Sequence, residues 1–462
     1  MQNRLVQSLR KQKIKYKNGP ITLHLGDASH IPYEDGYFHS IVTSPPYYRL
    51  RKYSGEQVKE WLEVSYSPIA GMLPITIPAW KGPLSWESSP EAFIGHLVLI
   101  AREWWRVLRP DGVVWLNFGD SYVAGGSYST GTKSKEGTPG RLERMAIAKR
   151  PKFSIQDGNL FMMPQRVALA LQADGWIVRN DNVWAKKQVM PESQSGWRWK
   201  KTVGEKILRK GSWRHTRAHE FVFMLVKSMH YWIDGDVVKE PAEISSYKRI
   251  YSARKNGLGD SQKDYGDLGI NPNRSMKKTL ANPVGNFTGV RNPRTVLRPA
   301  SLNYYGKHYA TYSPGLIELL IKSSCPAKCC PACGLGWSPV ITSDPIILTY
   351  NEWLKTQKGG SKYEGRQPGS HKGMGSEVLN FYKEFGDRLQ RTVIGYAPSC
   401  ECGIEESVPG IILDPVCGSG TTGLVCASLG LGFVGIDTSE EYLNQAKERI
   451  EGIGNQDVVL NL

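Results

Sequence analysis

The chain has 462 residues, 40% of them hydrophobic, and a formal net charge of +16. That length supports two or three domains around a sizeable core. No run approaches ~18 consecutive apolar residues and the basic stretch Met1–Lys17 lacks an apolar centre, which argues against a helical membrane span and a secretory leader and for a soluble, cytoplasmic protein. The excess of positive charge favours a polyanionic partner through counterion release.

In chain order, Ile21, Leu23 and Leu25 alternate along a strand that ends at Gly26-Asp27. Ile41-Val42-Thr43 is the next strand, with Ser44-Pro45-Pro46-Tyr47 at its carboxyl end, where ligands bind in open α/β sheets. Phe93, Leu97, Ile100, Trp104 and Leu108 recur at helical spacing. The stretch Arg106–Gly112 reads as a breaker turn into the strand Val113–Leu116, followed by Asn117-Phe118-Gly119-Asp120. Later come Trp184-Ala185-Lys186, Met190-Pro191-Glu192-Ser193 and His219-Glu220, the last opening a strand over Phe221–Val226. Leu316, Leu319 and Leu320 suggest a short amphipathic helix. Gly410–Leu413 reads as a buried parallel strand; Asp414-Pro415-Val416-Cys417-Gly418-Ser419-Gly420 is a glycine turn, and Thr421-Thr422 open a helix to Leu429. The strand Phe433–Ile436 then ends at Asp437.

Glycines let backbone approach a ligand without a Cβ clash. An acid about twenty residues beyond such a turn suits ribose hydroxyls, because two carboxylate oxygens can accept both. The spacing is neither Gly-x-Gly-x-x-Gly nor a P-loop, since no Lys follows to grip phosphate.

Thr43-Ser44-Pro45-Pro46-Tyr47 together with Asp414–Thr422 resembles the amino-methylating DNA methyltransferases that use S-adenosylmethionine (SAM), in the permuted order with the catalytic motif first. The resemblance spans about residues 20–240 and 300–450. It implies an α/β fold: a permuted Rossmann-like methyltransferase sheet, closed by the two chain ends, with an inserted target-recognition region, to which the cysteine cluster adds a small zinc-ribbon insertion. It further implies that Ser44, Pro45, Pro46 and Tyr47 are catalytic. The Ser44 hydroxyl and Pro45 carbonyl would accept the two hydrogens of an exocyclic amine and aim its lone pair at the methyl group, and Tyr47 would stack on the flipped base. Cofactor contacts fall on Asp27, Thr311, Asp414, Pro415, Cys417, Gly418, Ser419, Gly420, Thr421, Thr422 and Asp437. Thr311 lies in Lys307–Pro314, which resembles the segment lining the methionine end of SAM; Asp27 is either the acid near the adenine amino group or a strand-end cap. Members usually carry an aromatic where Val416 stands. Asp120 and Glu220 are candidates for shaping the base pocket.

Six of the eight cysteines are grouped near residues 325–333 and 400–402, which in a cytosolic chain suggests metal before disulfides. Cys330-Pro331-Ala332-Cys333-Gly334 resembles a zinc knuckle, and Cys400 and Cys402 supply the other two thiolates of a structural site; Cys325 and Cys329 leave the ligand choice open. No Pro-Cys dipeptide occurs, so a cysteine nucleophile of the cytosine-C5 type is not expected. Three basic, polar segments (125–150, 196–217 and 245–298) and the loop 355–372 are candidates for contacting DNA.

The expected organisation is a catalytic half at 18–240, target recognition at 241–300, a SAM-binding half at 301–324 and 408–462, and a cysteine-bearing insertion at 325–407. The expected function is site-specific methylation of cytosine N4 in double-stranded DNA. Adenine N6 is the alternative, because Ser at position 44 is commoner in the cytosine group. A non-catalytic DNA-binding module and methylation of RNA or protein are the remaining readings. A cognate restriction endonuclease is a genetic rather than physical companion, the host a bacterium or phage, and the oligomeric state is not legible.

Overall fold

The computed structural model describes residues 21–50, 58–123, 153–186, 189, 195–202, 205–241, 290–299, 312–341, 393–452 and 458–461. Thr311, the basic segment 125–150, the tetrapeptide at 190–193, residues 245–289 and the loop 355–372 lie outside them. Two compact units emerge, one drawn from Met1–Ile233, Thr295–Gly336 and Cys400–Leu462, the other from Asp234–Arg294 and Trp337–Ser399.

The first unit is built on one nine-stranded sheet. Its strands are β1 (Ile21–Leu25), β2 (Phe38–Thr43), β3 (Leu108–Phe118), β4 (Ile177–Ala185), β5 (His219–Val226), β6 (Val296–Leu297), β7 (Ile411–Asp414), β8 (Gly432–Asp437) and β9 (Val458–Asn461). Across the sheet the order is β6-β4-β5-β3-β2-β7-β8-β1-β9. Neighbours are parallel except around β5, which runs antiparallel to β3 and β4. β1 lies between β8 and β9, pairing Ile21 with both Phe433 and Val458, so the two ends of the chain complete one sheet as the permuted order requires.

Side chains alternate across a strand, and the sheet uses both faces. Val114, Leu116, Ile411, Leu413, Val434 and Ile436 join one core with helices α1 (Pro90–Val107) and α2 (Met163–Ala173). Val113, Trp115, Ile412 and Phe433 join a second core with α3 (Pro314–Ser324), α4 (Thr421–Ser428) and α5 (Glu440–Glu451). The result is a helix–sheet–helix sandwich, the layering a parallel sheet needs to bury both faces. α1 starts where its sequence dictates: the Ser89 hydroxyl accepts from the Ala92 amide at 3.1 Å, and Pro90 fills the first turn.

The breaker expected at Arg106–Gly112 takes another form. β3 begins at Leu108, directly after α1, and residues 109–112 are absorbed between the Phe38–Leu108 and Ser40–Val113 pairings. A buried fork holds this bulge, with Arg109 Nε donating to Asp111 Oδ1 at 2.8 Å and Nη2 to Oδ2 at 3.0 Å. Gly112 is needed there because a Cβ would fall 2.6 Å from the Leu108 side chain and 3.0 Å from the His39 carbonyl oxygen.

Antiparallel ribbons decorate the first unit: Lys59–Trp61 with Trp80–Gly82, Val64–Tyr66 with Ile75–Ile77, and Ser195–Thr202 with Glu205–Trp213. The last lies within the segment whose sequence shows no apolar periodicity. In the second unit Glu240–Pro241 pairs with Val290–Arg291 and Ser338–Ile341 with Val393–Ala397. Among the described residues no helix is long and apolar enough to cross a membrane.

Candidate active site

A cavity of about 690 Å³ opens at the carboxyl ends of β1, β2, β7 and β8. Its walls include Ser44, Pro45, Pro46 and Tyr47 from the loop after β2 and Pro415 through Ser419, with Thr421, from the loop after β7. Asp27 after β1 and Asp437 at the end of β8 also face it, and β5 and β4 contribute Glu220, Trp184 and Lys186. Because β5 runs against its neighbours, its first residues lie at the edge where the parallel strands end. That reversal brings Glu220 to the cavity.

The two motif loops are fastened together. Thr43, the last residue of β2, donates its hydroxyl to Asp414 Oδ1 at 2.9 Å. Asp414 Oδ2 accepts from the Tyr312 hydroxyl and the Thr422 hydroxyl, each at 2.7 Å, and Oδ1 also receives the Val416 amide at 3.3 Å. Burial pushes this carboxyl above the usual range, against the pull of those hydroxyls. Asp414, Gly420 and Thr422 do not line the cavity; they sit behind its wall and hold its shape. Gly420 adopts φ +73° at the start of α4, and a Cβ there would meet that of Ala446 at 2.6 Å. Ser419 is buried with its hydroxyl accepting from Arg449 at 2.7 Å.

Asp437 is bound to its own surroundings. Oδ2 accepts the Gly418 amide at 2.8 Å and Oδ1 the Ser439 amide at 3.0 Å. Burial raises its pKa to about 6, opposed by those amides. A carboxylate offers about four acceptor sites, more than the neighbouring amides fill. Asp27 accepts the Ser29 amide at 2.8 Å and is ion-paired with Lys59, whose ammonium lies 4.5 Å from the Trp61 ring centre. Asp27 therefore caps its strand end and faces the cavity at once. Lys59, Trp61 and Tyr442 also line the cavity; sequence reasoning missed them. The one signal for Tyr442 was its place in the first turn of a helix capped by Ser439, two residues beyond Asp437.

Around Ser44 the polar side chains form one network. Tyr47 donates its hydroxyl to Glu220 Oε2 at 2.8 Å. Asn117 Nδ2 lies 2.9 Å from both the Tyr47 hydroxyl and Glu220 Oε2, and 3.3 Å from Ser44 Oγ. Ser44 Oγ and the Tyr47 hydroxyl are 3.3 Å apart, and Lys186 pairs with Glu220 Oε1. The Tyr47 ring tilts against Phe118, with centroids 5.3 Å apart, and packs over Gly119, where a Cβ would come within 2.5 Å of it. Asp120, by contrast, does not line the cavity. Its carboxylate accepts the amides of Ser121, Met162 and Met163 and fastens the start of α2.

Residues 38–328 and 404–448 match the model of a DNA methylase family, that of the N6/N4 methyltransferases. The chain belongs to this family. Within the DNA methylases it is 26% identical over 449 residues to the Type II methyltransferase M.Cfr9I of Citrobacter freundii, covering 97% of this chain and 93% of that relative. It is 25% identical over 415 residues to M.SmaI of Serratia marcescens, covering 89% and 84%. Among solved structures, the PvuII DNA methyltransferase (cytosine-N4-specific) aligns at 12% identity and a TM-score of 0.39, covering 98% of both chains.

A second cluster lies in the same unit. The thiol sulfurs of Cys330, Cys333, Cys400 and Cys402 all fall within 4.8 Å of one another. Gly334 and Gly403, each one residue beyond a pair, take φ +67° and +69°. Burial opposes ionisation of Cys330, but the amides of Cys333 and Ala332 and the neighbouring thiols bring its pKa below the ordinary value. His39 on β2 contacts the Gly334 carbonyl at 2.9 Å and accepts the Ile411 amide at 3.0 Å; Arg109 donates to the Cys333 carbonyl at 3.0 Å. Burial holds His39 neutral, with a pKa near 3. The knuckle is thus tied to the central sheet. Cys325 and Cys329 are not in the cluster: both are buried, and burial raises their thiol pKa.

Proposed function

We propose that this chain is a Type II modification enzyme that methylates the N4 amine of a flipped cytosine in double-stranded DNA, with SAM as methyl donor. The observation that carries the reading is the single cavity walled by Ser44–Tyr47 on one side and by the glycine turn and Asp437 on the other, its two loops joined through Thr43 and Asp414. The cavity has room for the donor and an acid at its edge with lone pairs to spare. Pro415, Val416, Cys417, Gly418, Ser419 and Thr421 would hold the donor, with Asp437 on the ribose and Asp27 near the adenine. SAM supplies an electrophilic methyl on a sulfonium sulfur.

An exocyclic amine is a poor nucleophile because its lone pair is delocalised into the ring. Ser44 Oγ and the Pro45 carbonyl take its two hydrogens and turn that lone pair toward the methyl. The prolines preset the acceptors, so little entropy is lost on approach. The neutral hydroxyl at position 44 favours cytosine within the family resemblance. The net charge of +16 supplies the attraction to DNA. A restriction nuclease of matching specificity is the genetic companion this reading implies.

The test is methyl transfer from radiolabelled SAM to duplex DNA, RNA and protein, followed by mass spectrometry of the nucleosides. N4-methylcytosine from duplex DNA is the expected product; N6-methyladenine would overturn the base assignment, and label in RNA or protein the substrate.

The four clustered cysteines fit a structural zinc. Four thiolates at Zn–S ~2.3 Å form a closed tetrahedron with sulfurs ~3.8 Å apart, and the observed upper separation of 4.8 Å needs only small rotamer changes to reach that. Metal analysis of the purified protein should return one zinc per chain; a metal-free, folded protein would refute the site.

A further inference from the structure

The chemistry around Ser44 has a second half. When the amine gains a methyl it carries one proton too many and a positive charge, and that proton must leave a pocket closed by the base. Ser44 already touches the amine in the reading above, and its hydroxyl leads away from the pocket along a chain of oxygens. Ser44 Oγ is 3.3 Å from the Tyr47 hydroxyl, which is 2.8 Å from Glu220 Oε2. Lys186 occupies the other oxygen, Oε1. Asn117 donates along the same chain and keeps its members together. Glu220 is 13% exposed and lines the cavity, so it can return a proton to water once product leaves.

We propose that Glu220 is the terminal proton acceptor of the methyl transfer, reached through the hydroxyls of Ser44 and Tyr47. The amine proton passes to Ser44 Oγ as the Ser44 proton passes to Tyr47 and the Tyr47 proton to Glu220 Oε2. One N–H and two O–H bonds break, and three O–H bonds form. The electron pair of the broken N–H bond stays on nitrogen and neutralises it, while Glu220 becomes a neutral acid beside Lys186. The amine alone enters this scheme, so it holds for cytosine N4 and adenine N6 alike; it rests on the proposed DNA amine methylation. The titratable groups facing Glu220 are Lys186 from the end of β4, Tyr47 from the loop after β2 and His219 beside it on β5.

Glu220→Gln keeps a hydrogen-bond acceptor for Tyr47 but cannot take the proton. At saturating SAM and duplex DNA, its single-turnover methyl transfer should be on the order of 100-fold slower than the wild type, within the usual range for a lost proton acceptor. SAM affinity should be retained. Tyr47→Phe keeps the ring on Phe118 and Gly119 while cutting the chain, and should be slowed similarly; it carries the test if Glu220→Gln fails to fold. The double variant should be no more than a few-fold slower than either single one, because both interrupt one path. A Glu220→Gln enzyme within about threefold of wild type would overturn the relay while leaving the methyltransferase reading intact. A wild-type protein that methylates no DNA amine would overturn both.

Discussion

Two carboxylates lie on either side of the loop that carries Ser44, and they do opposite work. Asp414, at the end of β7, accepts three hydroxyls and an amide, is fully buried and presents nothing to the cavity. Glu220, at the start of β5, accepts from Tyr47 and Asn117, pairs with Lys186 and lines the cavity. The first is a rivet between two loops; the second belongs to the cavity wall. An acid inside the most recognisable motif can therefore be scaffold, while one outside any motif lines the cavity. What separates them is whether the side chain stands in the cavity wall or behind it.

The strongest way to break this contrast is to remove what lies between the two acids. Ser44→Ala deletes the acceptor proposed for the amine without disturbing Asp414 or the glycine turn. Methyl transfer should fall roughly 10²–10³-fold, comparable to losing one preorganised transition-state hydrogen bond, with SAM affinity unchanged by calorimetry. Undiminished turnover would take Ser44 out of the chemistry. Asp414→Ala should act differently. It strands the Thr43 hydroxyl in a buried site and leaves the Tyr312 and Thr422 hydroxyls only each other, at about 1–3 kcal/mol for a group left unpaired. The thermal midpoint should drop by several degrees, and SAM binding and turnover should weaken together because both loops lose their tie. A variant with the wild-type midpoint would show that Asp414 is no rivet.

Asp437 sharpens the comparison, being part scaffold and part surface. Its pKa, raised to about 6 by burial, puts its charge change within reach of ordinary buffers. Hydroxyl donors bind a carboxylate better than an acid, so SAM affinity should fall as pH drops from 7.5 through 6. Stability should move the other way. A carboxyl whose folded pKa lies above its unfolded value favours folding most at low pH, below the unfolded value, and loses that contribution as pH rises through about 6. Asp437→Asn should flatten the affinity profile. A wild-type affinity independent of pH across that window would remove Asp437 from the ligand.

The same contrast explains how much of the molecule could be read beforehand. β1, β2, β7 and β8 were legible because apolar alternation or a short apolar run followed by a glycine turn leaves few other readings. The loops Ser44–Tyr47 and Pro415–Thr421 were legible as motifs, and both face the cavity. The division of labour was not. Nothing in the order of residues shows that Thr43 and Tyr312 saturate Asp414, or that an antiparallel β5 brings Glu220 and not Asp120 to the pocket. Those facts depend on pairings across tens to hundreds of residues. The ribbon Ser195–Thr202 with Glu205–Trp213 was missed for a local reason: its strands are polar and charged, so no apolar period marks them.

The smallest expected effect concerns Val416, where the family resemblance leads one to expect an aromatic. Val416 lines the cavity beside Pro415 and is only partly buried against the α1-side core, so a larger side chain has open space on one flank. Val416→Phe should add contact area with a bound purine worth about 0.5–1.5 kcal/mol, tightening SAM binding roughly threefold to tenfold. The gain would be shared by ground state and transition state, so turnover at saturating SAM should stay where it was. Calorimetry and single-turnover rates measure the two separately. Unchanged binding at an unchanged thermal midpoint would mean that this wall does not touch the cofactor, and would return the glycine turn to the scaffold alongside Asp414.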